Sequence, residues 1–288
     1  MPEIRFPAYR DYVSKRVEVN NAMMALLAGS RLAAHTLQLT SGAPLTLGQL
    51  FPAVPHIERF NLPNDEARHF LGNADSHLAS VAIPYALATH EAFLTDQLDY
   101  IKNEGVALAN NGKPIKAWNM HSVFFATAGT PEPASDLQIF HVLRQTRNCI
   151  IHNQGRSDEG LSDALSRMGE TATESWSRLN GGDTPSDIIG PDGQLILTAK
   201  HIFTAFANTK ALGRSINKAL ISALPLESWA RLAMEDFASA TTKTRNSSQW
   251  RRSASGYVRE NYAAIGLSNA ELEKAARSLG VWTGGAWR

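Results

Sequence analysis

Residues 136–155 read DLQIFHVLRQTRNCIIHNQG. Wound at about 100° per residue, this stretch is a helix with Phe140, Leu143, Ile150 and Ile151 on one apolar face and Arg147 among them. A guanidinium stays charged wherever it lies, so its position predicts a carboxylate or a phosphate to meet it. His141, Gln145, Asn148 and His152 occupy a separate polar wedge, spaced by three or four residues. TPEPASD before the stretch is a break, with Ser135 or Asp136 as the cap. After it, Asn153 and Gly155 suit the left-handed backbone that stops a helix.

Worked outward from there, the chain is mainly α. Tyr9 to about Leu39 has helical spacing of Val13, Val17, Met24, Leu27 and Leu32, opening after Pro7. Residues 40–63 carry too many prolines and glycines for a long helix, so 1–63 is expected to be an N-terminal helix and connector. Helix resumes at Asn64, a good N-cap, and runs strongly from Asp75 to Asn103 with a kink or restart at Pro84. Leu87, Leu94, Leu98 and Ile101 form a stripe there, and Glu91 sits inside it as a candidate counter-charge for Arg147 or Arg144. Trp118–Ala126, Leu161–Leu179 and Thr198–Leu224 complete a helical domain over 64–224, with a small β-hairpin as an option at Asp187–Leu197. Residues 225–288 form a basic helical extension. It contains a Ser-rich linker, TTKTRNSSQWRRSASG, and a final helix opened by the Ser268/Glu271 capping box, with Trp282 and Trp287 folding back.

Composition excludes several classes. The 288 residues are 43% hydrophobic, enough for a core, and no apolar run reaches membrane-spanning length. The start, MPEIRFPAYRDY, lacks the pattern of a signal peptide, so a cytoplasmic location is expected. One cysteine, Cys149, allows neither an intrachain disulfide nor a multi-thiolate metal site. Net charge is +1, yet residues 243–288 hold eight Lys or Arg against three Glu. Lys243, Arg245, Trp250, Arg251 and Arg252 form an aromatic–basic cluster suited to RNA.

Arg147-Asn148-Cys149-Ile150-Ile151-His152, continued by Asn153-Gln154-Gly155, resembles the R-N-x-x-x-H-N-x-G signature of the HEPN superfamily, helical ribonucleases and nucleotide-binding proteins of prokaryotic toxin and defence systems. The likeness covers about 75–224. It implies a HEPN-like helical bundle with terminal helical extensions, acting as a metal-independent endoribonuclease without a cofactor. It further implies a homodimer with the site at the interface, RNA as substrate, and a toxin or phage-defence role with an antitoxin or regulatory partner protein.

The residue types fit that chemistry. Cleaving RNA without metal needs a base for the 2′-hydroxyl, an acid for the 5′-oxygen and fixed positive charge on the phosphorane. His152 can serve as base or acid, Arg147 as the fork on nonbridging oxygens, and Asn148 as an orienting group. Glu91, Arg144, His141 and Asn153 are supporting candidates. On one helix Arg147 and His152 stand about 140° apart and about 7.5 Å along the axis, so a second copy is expected to complete the site. Two other readings stay open: a catalytically inactive HEPN-like module that binds nucleotide or a partner protein, and a nucleic-acid-binding regulator using the basic C-terminal region. Zinc-ligand spacing, a G-x-S-x-G elbow and a P-loop are all missing from the sequence.

Overall fold

A computed structural model describes residues 3–285 and 287 of the chain. Helices dominate: α1 (Pro7–Gln38), α2 (Leu47–Leu50), α3 (Asn64–Gly72), α4 (Ala74–Asn103), α5 (Met120–Thr127), α6 (Ala134–His152), α7 (Glu159–Ser166), α8 (Glu170–Leu179), α9 (Ala199–Ala223), α10 (Leu226–Ala240), α11 (Ser248–Asn261) and α12 (Asn269–Ser278). The mainly α class expected from periodicity is what the structure shows. Among the described residues no helix is long and apolar enough to cross a membrane. Contacts divide the chain into two compact units. One comprises Met1–Lys15, Ala88–Leu137 and Thr209–Arg288; the other comprises Arg16–Leu87 and Gln138–Asn208.

The first unit has a continuous core. Leu94, Leu98 and Ile101 of α4, Phe124 of α5, Ile216 and Leu220 of α9, Trp229 and Met234 of α10 and Leu272 of α12 are buried together. The N-terminal segment is tied into it: Ile4 exchanges hydrogen bonds with the Asn217 side chain (3.0 and 2.8 Å), and Arg5 N donates to Asn261 O at 2.8 Å. Buried Asp236 accepts both Arg10 guanidinium nitrogens, at 2.9 and 2.7 Å, and the Tyr262 hydroxyl at 2.7 Å. Burial and that carboxylate push the Tyr262 phenol well above its ordinary pKa. Ser268 and Glu271 form the expected capping box of α12.

Two expectations in this unit are corrected and a third is met. The Ser-rich stretch is a helix from Ser248 onward, capped by Ser247, because Trp250, Ala254 and Val258 recur at i, i+4 and i+8 and all three are buried. Trp250 is 0% exposed and packs on Phe237, Trp282 and Trp287 with centroids 5.0, 5.9 and 6.0 Å away, so it is a core residue rather than a platform for bases. Trp282 and Trp287 fold back as expected, onto that ring.

In the second unit, Pro84 lies inside α4 without ending it. Asn64 does not cap α3. It is the helix's first residue, buried, with its amide donating to Thr40 O at 2.7 Å and Leu37 O at 3.3 Å. Val17 and Leu32 of α1 are exposed, while Val19, Leu27 and Leu37 are buried. The single helix expected over 161–179 is two, α7 and α8. The hairpin at 187–197 is reduced to isolated bridging pairs, Ile189 with Leu195 and Arg156 with Gln194. A turn of 3-10 helix, Pro185–Ile188, takes the residues a first strand needs.

Candidate functional site

Helix α6 carries His141, Arg144, Arg147, Asn148 and His152, with Asn153 on the following turn, all of them within the second unit. Its buried stripe is Ile139, Val142, Leu143, Thr146 and Cys149, so the inner face is rotated from the one expected. Arg147 falls at the margin of that stripe and is half-buried, not enclosed. Ile151, assigned to the inner face from spacing, is 56% exposed. A long side chain at a margin lays its apolar stem along the buried surface, and the Nε of Arg147 is itself buried.

The helix stays regular through His152 and then stops. Gly155 N and Asn153 N donate to Cys149 O at 2.9 and 3.0 Å, and Gln154 and Gly155 take φ of 54° and 78°. Gln154, not Asn153, thus adopts the left-handed conformation. Asn153 instead donates its amide to Asp158 Oδ2 at 3.0 Å, while Asp158 Oδ1 caps α7 by accepting from Leu161 N at 2.9 Å. Asp158 is the residue that sequence reading missed; its only signal was its place as an N-cap before Glu159. Leu195 N then donates to Gly155 O at 2.8 Å, tying the stop to the 187–197 segment.

This arrangement leaves His152 exposed on the last residue of the helix. One turn back, half-buried Asn148 donates to Gln145 Oε1 at 2.9 Å, which orients the amide. His141 and Arg144 are half-buried further along the helix. Cys149 is buried, and burial pushes its thiol up to about 11, with nearby Asp158 adding to the shift. A thiol so held stays protonated and is no nucleophile.

Glu91 lies on α4 in the first unit. It is half-buried and lines a cavity of about 570 Å³ with Leu98, Asp99, Lys102, Ile115 and Met120. Lys243, Arg245 and Arg252 are exposed and Arg251 is half-buried, at or just before the start of α11 in the same unit. Lys243 Nζ donates to Ser253 Oγ. No group of three or more His, Cys, Asp or Glu able to hold a metal occurs among the described residues.

Compared with known proteins, the chain matches no family model, no curated protein and no solved structure.

Proposed function

We propose that the protein is a metal-independent endoribonuclease of HEPN type, active as a homodimer with two copies of α6 facing one cleft. One observation carries the reading: α6 ends on an exposed imidazole, His152, with an oriented carboxamide and half-buried Arg147 within the preceding turn and a half. A straight helix keeps Arg147 and His152 about 140° apart, so one helix serves one phosphate poorly and a two-fold axis corrects this.

In this reading His152 takes the proton of the ribose 2′-hydroxyl, which attacks the adjacent phosphorus. The partner's His152 gives a proton to the departing 5′-oxygen, and Arg147 stabilises the charge gathered on the nonbridging oxygens. The products are a 2′,3′-cyclic phosphate and a 5′-hydroxyl. The toxin or defence role and a cognate inhibitor or regulatory partner belong to the same proposal. With Trp250 buried, any contribution of the basic C-terminal region to substrate rests on Lys243, Arg245, Arg251 and Arg252 as phosphate contacts.

End-group analysis of RNA treated in EDTA tests the chemistry. Cyclic phosphate and 5′-hydroxyl ends are expected; 3′-hydroxyl ends, or cleavage only with added divalent metal, would overturn it.

A further inference from the structure

The first unit holds a buried chain of hydrogen bonds that neither packing nor the proposed chemistry uses. The Tyr12 hydroxyl lies 2.7 Å from Thr209 O and 3.0 Å from His90 Nδ1, and His90 Nε2 lies 2.9 Å from His121 Nε2. Both imidazoles are buried, with their ring planes inclined by 13° and centroids 5.2 Å apart.

Donor counting settles the protons. A carbonyl only accepts, so Tyr12 must spend its single hydrogen on Thr209 O. His90 Nδ1 therefore carries hydrogen and donates to Tyr12. In the neutral pair His90 Nε2 is then bare, and His121 Nε2–H donates to it. A first added proton is accommodated: His90 becomes imidazolium, its Nε2–H points at His121, and His121 moves its own hydrogen to Nδ1. A second proton is not, because it places two N–H groups nose to nose and two cations side by side in the interior. Helix α5 starts at Met120, so His121 lies in its first turn, where a cation also opposes the helix dipole.

We infer that His90 and His121 form a proton-operated latch between α4 and α5, closed while the pair holds at most one extra proton and released when both imidazoles are charged. The groups facing it include Tyr12 of α1 and the Thr209 carbonyl of α9; Phe93 stacks on Tyr12 with centroids 4.3 Å apart. Glu91 of α4 is the nearest acid in sequence and lines the 570 Å³ cavity whose floor includes Met120, the neighbour of His121. Release of α5 would therefore loosen one wall of that cavity.

The test uses the full chain labelled with 15N-histidine. Long-range 1H–15N spectra at pH 8 should show hydrogen on Nδ1 of His90 and on Nε2 of His121; the opposite pair of tautomers overturns the latch. Amide exchange over residues 120–127, corrected for intrinsic rate, should rise about tenfold or more between pH 7.5 and 5 in the wild type. His121→Gln keeps a donor to His90 Nε2 but cannot titrate, so its exchange should stay within about twofold. Equal acceleration in both proteins, or none in the wild type, contradicts the proposal. Should His121→Gln fail to fold, the wild-type titration decides: uptake of two protons with full protection of 120–127 also overturns it.

Discussion

Single residues make two sharp demands. His201 is buried, its Nδ1 accepts from Thr198 N at 3.0 Å, and it packs on Trp176 with centroids 5.9 Å apart. Burial pushes its imidazole down to about 4 against the efforts of Asp183, with Lys200 adding to the fall. The folded protein thus refuses a proton that the unfolded chain takes at about pH 6.5. Stability from this group is fully present above about 6.5 and is lost as pH falls toward 4, in total about 3 kcal/mol. Urea unfolding of wild type and His201→Asn at pH 7 and pH 4.5 should show a smaller acid loss in the variant. Gly213 is the second case: a Cβ there would lie 2.5 Å from Tyr12 Cε1. Alanine normally strengthens a helix, yet Gly213→Ala should cost about 1–3 kcal/mol by driving Tyr12 off Thr209 O. A rise in Tm would contradict that packing.

Helices were legible where one apolar stripe dominates. The expected helix over 198–224 matches α9 almost to its ends, because Ile202, Phe206, Leu212, Ile216 and Leu220 all sit on its buried face. Helix α11 was obscured by its serines and arginines, although its i, i+4, i+8 trio was present in the letters. Trp250→Ala should accordingly cost about 3–5 kcal/mol in thermal or urea unfolding. Folded protein of that variant, tested at a permissive temperature, should bind RNA as the wild type does. In α6 the helix was placed but the setting of its candidate residues was not, since one residue of rotation separates a buried Arg147 from a half-buried one. In the proposed reaction Arg147→Lys keeps the charge and loses the bidentate fork, so kcat should fall by about ten- to a hundredfold. The Tyr12–His90–His121 chain left no trace in the sequence, for its members are joined by tertiary structure alone.

At the scale of the whole molecule, three separate stretches build the first unit and two the second, so no run of residues by itself announces either. Pattern and capping describe neighbours along the chain; which stretches share a core depends on contacts between distant ones. The proposed catalysis by paired α6 helices would make activity depend on association, so specific activity should drop on dilution through the dimer dissociation constant and return on concentration. The most direct measurement is cleavage of total RNA in EDTA by wild type and His152→Ala at equal folded concentration. His152 is exposed, so the variant should keep its Tm while losing about a hundredfold or more of the cleavage rate. Equal cleavage by both proteins, or cleavage by neither at any concentration, would contradict the catalytic assignment of α6.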